Sequence, residues 1–427
     1  MQLKGLSAIT YNAAIDYIYR SHSKIGLDGV KNVLQMLGNP QDKFAVIHVA
    51  GTNGKGSTCA FLSYILTNAG YKTGLFTSPH LAKYNERIKI NNIPILDADF
   101  AKILTQITQI QPIMSFFENL TCMAYTYFAE QSVDIAIIET GIGGRLDSTN
   151  AVNSPILSVI TAPGYDHTEI LGETLAQLAF EDAGIIKNNC PVAVYPTSEL
   201  ATFSQIAAEK HAPLYYLENI AISDVTYKLD STTFSVETPL FSYGALQIKL
   251  LGEHQIQNAI HAVLCTEILR KNKLNISETA MRQGLLNCEW AGRFEIVTSQ
   301  TPQILLDGAH NEDGARVFKQ ALNLYFTKLT KRRIVLVVAI SQKKDYTAIL
   351  EHMLETADIA IFTCSSFKAI AAQQLADFAK TITNIPVFAE PNAVFALQKA
   401  KQLANTDGIV AIAGSLYLIG DIRKTIF

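Results

Sequence analysis

No apolar run in the sequence exceeds about seven residues, far short of the ~20 that a membrane-spanning helix requires. Cysteine is scarce too. Six thiols (Cys59, Cys122, Cys190, Cys265, Cys288 and Cys364) are scattered without CxxC or other metal-ligand spacing. That argues against a disulfide framework or zinc site and for reduced, buried thiols. Neither sign of charge is in excess: 35 Lys and Arg stand against 38 Asp and Glu, a formal net charge of −3. Such a chain has no broad field to draw nucleic acid or anionic membrane. The densest basic cluster, Lys331-Arg332-Arg333, directly precedes IVLVVAI and reads as the solvated entrance to a buried strand. The first twenty residues lack the apolar core and cleavage site of a secretory signal. The expectation is a cytoplasmic monomer with small-molecule partners, and neither nucleic acid nor membrane among them.

The chain has 427 residues, 48% of them hydrophobic and 17% charged. That is too long for one ordinary core and predicts two soluble domains. FAVIHVA (44–50) reads as a buried parallel strand, followed by a helix over 58–70 with Phe61, Leu62, Ile65 and Leu66 at helical spacing. KTGLFT is a second strand, and ERIKI and IPIL form a hairpin about Asn91-Asn92. Helices over 97–110 and 116–131 lead to the strands DIAIIE (134–139), ILSVIT (156–161) and PVAVY (191–195). This alternation predicts an open, mainly parallel α/β sheet. Between 213 and 251 the texture becomes strand-rich, as in a small antiparallel subregion. Helices follow near 254–272 and 276–287. A second α/β alternation then runs from QILLD through IVLVVAI, DIAIFTC, IPVFAE and GIVAIAG. The expected division is 1–296 and 297–427, where TSQTP interrupts the pattern.

Between the first strand and helix lies HVAGTNGKGST (48–58). Gly51, Gly54 and Gly56 permit close backbone approach. The backbone N–H groups across Thr52, Asn53 and Lys55, with the helix N-terminus, form an anion cradle. Lys55 can reach terminal phosphate oxygens, and Ser57 or Thr58 can offer a hydroxyl to Mg²⁺. The common phosphate loop places Ser or Thr directly after its Lys; here Gly56 intervenes.

Three segments offer cation ligands near predicted strand ends: Ser78 in TSPH, Glu139 in IIETGIGGRLDSTN and His167 in GYDHTEILG. Ligands bind at the carboxyl ends of parallel strands, so these groups can converge on the loop. Carboxylate and hydroxyl suit Mg²⁺, whereas imidazole is a less usual partner. Taken singly, Glu139 could be a structural carboxylate and His167 an ordinary loop histidine.

The order of motifs resembles the folylpolyglutamate synthase/dihydrofolate synthase branch of the Mur ligases. GTNGKGST, TSPHL with ERI, GIGGRLDSTN and DHTEILGETL are followed by GEHQIQNAIHA (252–262), WAGRFE (290–295), LDGAHN (306–311) and GSLYLIGDIRK (414–424). The resemblance implies an N-terminal three-layer P-loop ATPase domain with a mainly parallel sheet and a C-terminal Rossmann-like α/β domain. It implies ATP and Mg²⁺ as cofactors, with L-glutamate, dihydropteroate and reduced folates as substrates. ATP would turn a carboxylate into an acyl phosphate, which the glutamate amine then converts to an amide. By motif, Lys55 and Ser57 would bind phosphates, and Ser57, Ser78, Glu139 and His167 would hold Mg²⁺. Asn258, Arg293, Asp307 and His310 would contact ATP from between the domains. Ser78, Pro79, His80, Arg145 and Asp147 would lie on the substrate side.

The chain departs from that family at several positions. Asp182, in FEDAGIIK, stands where the family has a lysine that becomes carbamylated beside Mg²⁺. Its carboxylate is expected to replace the carbamate, while Lys187 reads as a surface residue. Gly29 stands where a basic residue is frequent. SQKKDY keeps only Lys344-Asp345 of an Asp-Lys-Asp, and Lys368 replaces an arginine. The competing readings are a Mur-type UDP-muramoyl amino-acid ligase, a nucleotide-dependent kinase, and a non-catalytic nucleotide or folate binder.

Overall fold

The structure, a computed structural model, describes residues 10–19, 26–111, 113–342 and 344–427. The sequence start through residue 9, Lys24 and Ile25 ahead of Gly29, and Lys343 of SQKKDY lie outside the described residues. Eight strands form the first sheet: β1 (Ala45–Ala50), β2 (Thr73–Phe76), β3 (Ile88–Ile90), β4 (Ile93–Pro94), β5 (Ile135–Glu139), β6 (Leu157–Ile160), β7 (Val192–Val194) and β8 (Leu214–Tyr216). Their spatial order is β4-β3-β2-β5-β1-β6-β7-β8. All pairings from β2 to β8 are parallel, while β3 and β4 add an antiparallel hairpin. Asn91 and Asn92 turn that hairpin with φ of 48° and 66°, as a two-residue turn of this kind demands.

Alternate residues of the central strands feed opposite cores, the period-2 pattern of a sheet buried on both faces. Ile47, Val49 and Ile137 pack with Phe61, Leu62 and Ile65 of the helix Lys55–Asn68 and with the helix Glu253–Lys271. Val46, Ala136 and Ile138 pack on the other face with the helices Asp97–Ile110 and Phe116–Glu130. The expected three layers are therefore present.

The strand-rich region resolves into two parts. β9 (Ala221–Tyr227), β10 (Thr232–Glu237) and β11 (Ser242–Ile248) form an antiparallel sheet. β8 instead joins the main sheet in parallel with β7, so the independent subregion starts after 216 rather than near 213. A second large sheet contains β12 (Glu295–Val297), β13 (Gln303–Leu306), β14 (Ile334–Val338), β15 (Ile359–Cys364), β16 (Val387–Asn392) and β17 (Ile409–Ala413). Its order is β12-β13-β17-β14-β15-β16, parallel except for β12. β12 ends just before TSQTP and straddles the expected 296/297 division, because three residues with a single buried side chain give no periodic signal. Among the described residues no helix is long and apolar enough to cross a membrane.

Inside the first sheet, His48 of β1 is fully buried and its Nε2 lies 2.8 Å from Thr149 Oγ1. The Thr149 hydroxyl donates to Asp147, so it accepts from His48 and the proton sits on Nε2. Burial, then nearby Lys187, pushes the His48 imidazole down to about 3. A folded-state value below the unfolded one means the unfolded chain binds the extra proton, so stability falls as pH drops through 6.5 toward 3. His48→Gln should therefore lose about 2 kcal/mol less than the parent between pH 7 and 5 in urea titrations. Equal losses would show that His48 does not resist protonation.

Candidate active site

The phosphate loop leaves β1 at the centre of the sheet. Register aligns Val49 with Glu139 and Ala50 with Ile160, bringing the carboxyl ends of β1, β5 and β6 to one level. Thr52 N and Asn53 N donate to Ala162 O at 3.1 and 3.0 Å, and the Thr52 hydroxyl bridges to Gly164 at 3.0 Å. The loop is thus strapped to the segment that carries Asp166 and His167. Gly54 caps the following helix at φ 84°, and a Cβ there would meet Asn258 Oδ1 at 2.6 Å. Gly56 has a different reason to be glycine: its Cβ would lie 3.0 Å from Trp290 Nε1. The extra glycine of the loop makes room for the indole that begins the link to the second sheet.

Around the loop lies a cavity of ≈480 Å³ whose wall includes Gly51, Lys55, Ser57, Glu139, Asp182 and Arg293. Lys55 Nζ donates to Gly51 O at 2.6 Å and Thr52 O at 3.3 Å. Glu139 is buried, accepts from Ser78 N at 2.9 Å, and its carboxyl is raised by burial against the pull of Lys55. Asp182 is also buried, and burial pushes its carboxyl up to about 7. Gln255 Nε2 donates to Ser57 Oγ at 3.3 Å and Gln255 accepts from Asn258 at 3.1 Å, fixing the floor.

From the second sheet, Asp307 accepts Phe294 N and Ala309 N at 2.8 Å each, locking the linker to the end of β13. His310 Nδ1 lies 2.7 Å from Gly308 O, which only an N–H can satisfy, so its Nε2 is the nitrogen turned toward Asp166 at 3.8 Å. Lys344 Nζ bonds Asp166 at 2.6 Å across the two sheet bodies. Burial would raise the Asp166 carboxyl, but His310, Lys344 and His167 hold it well below its ordinary value. His167 adopts φ 53°, which turns its ring to the cavity wall, and burial lowers its imidazole.

A second cavity of ≈760 Å³ adjoins the first and is lined by Phe116, Phe117, Ile142, Leu146 and Tyr417. The two share Ser78, Ile142, His167, His310 and Leu416 as a common wall. Asp147 reaches this cavity, but its carboxylate is spent on Gly141 N, Ile142 N and Thr149 N at 2.9–3.0 Å, shaping the loop. Arg145 also reaches it, paired with Glu181 at 2.8 Å.

Most sequence-selected residues therefore converge on the paired cavities. Thr58 does not: it is buried in the helix and its hydroxyl meets no partner among the described residues. His80 does not line either cavity; its Nδ1 accepts Arg87 Nε at 2.9 Å from behind. Gly29 lies against Glu118 and Lys368 against Phe367, both away from the cavity walls. Arg87, Asp166 and Trp290 were not singled out as site residues, although each sits inside a quoted motif.

The sequence matches the Mur ligase middle domain family over residues 49–266 and the dihydrofolate synthetase C-terminal domain family over 292–425. A Bacillus subtilis dihydrofolate synthase/folylpolyglutamate synthase is 39% identical over 94% of this chain and 95% of its own length. The chain belongs to the dihydrofolate synthase/folylpolyglutamate synthase family. Thermotoga maritima folylpolyglutamate synthase superposes with a TM-score of 0.84 at 33% identity, covering 97% of this chain and 96% of that one. Escherichia coli FolC in complex with DHPP and ADP gives 0.87 at 28% identity, covering 98% of each. As a member of this family the chain is an ATP-dependent ligase with the two-domain Mur ligase fold.

The contact at Gly56 predicts an epistatic pair. Gly56→Ala should destabilise the parent by about 1 kcal/mol or more through overpacking, and clearly less when combined with Trp290→Phe. Denaturant midpoints of the four proteins measure this; strictly additive effects would show that the indole does not impose the glycine.

Proposed function

We propose that this ligase joins L-glutamate to dihydropteroate and to the γ-carboxylate of reduced folates through an acyl phosphate. The supporting observation is the shared wall between a phosphate-loop cavity and an aromatic one. A carboxylate extending from the aromatic cavity would meet the ATP γ-phosphate there. Its oxygen attacks phosphorus and ADP leaves; the glutamate amine then attacks the acyl carbon, phosphate departs, and the amine loses its proton. Lys55 and the loop N–H groups would hold the phosphates and stabilise charge on the transferring group. His310, held by Gly308 through Nδ1 and turned toward Asp166 through Nε2, would position the nucleotide or the incoming glutamate at the shared wall. Arg293 and Asn258 would contact the nucleotide from the other side.

The donor set fits Mg²⁺: Glu139 is a buried carboxylate with a single hydrogen bond among the described residues, and Ser57, Ser78 and His167 share its cavity. When bound, the ion would supply charge neutralisation to the transferring phosphoryl group. Asp182, on the same wall, would provide the negative charge that a carbamylated lysine provides elsewhere in the family.

Purified protein with ATP, Mg²⁺ and L-glutamate should release ADP when dihydropteroate or tetrahydrofolate is added. ADP release that ignores glutamate would point to a kinase instead. Asp182→Ala should lower Mg²⁺-dependent turnover roughly 10- to 100-fold, the usual cost of losing an outer partner of a metal site. Unchanged turnover would remove Asp182 from the mechanism.

A further inference from the structure

Arg87 is a buried cation whose partner is missing. Its side chain is 6% exposed, yet among the described residues it forms no ion pair. Its side chain donates a hydrogen bond from Nε to His80 Nδ1 at 2.9 Å, and its guanidinium carbon lies 5.1 Å from the Phe116 ring centroid. The neighbouring acids are committed elsewhere. Glu86 accepts Leu81 N, Ala82 N and Lys83 N, and Glu139 accepts Ser78 N. Burial accordingly pushes the guanidinium down to about 10, which still leaves it charged at neutral pH.

A buried charge without a counter-charge is costly, so something must offset it. Arg87 faces the larger cavity, beside Ser78 and Phe116. The other cations on that wall are spoken for: Arg145 by Glu181 and Lys344 by Asp166. Guanidinium N–H groups in a planar fork match a carboxylate. His80, tilted against Tyr84 at 4.2 Å between ring centroids, turns that fork by occupying Nε.

We propose that Arg87 recognises the free carboxylate of the acceptor bound in the aromatic cavity, with His80 as its positioning residue. This rests on the reading that a pteroyl acceptor occupies that cavity. Arg87 would hold the carboxylate at the wall shared with the phosphate-loop cavity, selecting acceptors that can be phosphorylated.

The test is equilibrium binding, without turnover, of pteroate and of pteroate amide to the full chain saturated with ADP and Mg²⁺. The parent should bind pteroate roughly ten- to a hundred-fold more tightly than the amide, the worth of a charged hydrogen-bonded pair. Arg87→Gln should bind both within a few-fold, with Arg87→Lys intermediate. His80→Leu should shrink the preference and His80→Gln, which keeps an acceptor, should restore it. A folded Arg87→Gln protein that keeps the parent preference overturns the assignment to Arg87. A parent that binds pteroate but does not prefer it to the amide overturns carboxylate recognition in this cavity. A parent that binds neither compound overturns the proposal together with the acceptor reading beneath it.

Discussion

Glu139 is a carboxylate kept from water at the end of a central strand, and removing such a charge from water costs several kcal/mol unless something nearby compensates. The site is arranged around that cost. Register between β1 and β5 places Glu139 level with the start of the phosphate loop. Ser78 N donates a hydrogen bond to it, and Lys55 supplies the strongest nearby opposing charge. The loop is tied to β6 by Ala162 and Gly164, so the cation, the carboxylate and the His167 segment keep fixed relations before any ligand arrives. Preorganised charge of this kind avoids reorganisation during reaction, which is what stabilising a transferring phosphoryl group requires.

The second sheet completes the arrangement rather than adding a separate function. The linker starts with Trp290 against Gly56 and continues through Arg293 on the cavity wall to Phe294, whose N–H binds Asp307. Tyr325 joins the same bodies from another side, through Thr232 and Gly252 at 3.2 Å each. Asp166 and Lys344 meet across the cleft. These contacts make the shared wall between the cavities a product of both sheets, so under the proposed function acceptor and nucleotide would meet only where the two bodies touch.

Much of this was legible in the sequence where a residue's chemistry and its chain context coincide. GTNGKGST lies between a strand and a helix as its flanking patterns predict, and alternating apolar strands with helices read correctly as parallel sheets. Reading failed where the outcome depends on direction. His80 and Thr58 lie in the right motifs but point away from the cavities, and no spacing rule reveals which way a loop histidine or a first-turn threonine turns. Nothing in the spacing of ERI marks Arg87 as a site residue; its burial, and the diversion of Glu86 to three backbone N–H groups, are visible only in the fold. β12 is too short for a periodic signal, and β8 was grouped with the antiparallel region because sequence texture does not say which sheet edge a strand will join.

If the acceptor carboxylate attacks the γ-phosphate on the shared wall before the amine enters, one of its oxygens must leave with the phosphate. Dihydropteroate labelled with ¹⁸O in its carboxylate, turned over once with ATP and L-glutamate, tests this directly. The released inorganic phosphate should carry one ¹⁸O atom derived from the acceptor. Product formed with no label in the phosphate would contradict it, since no acyl phosphate could then lie on the path.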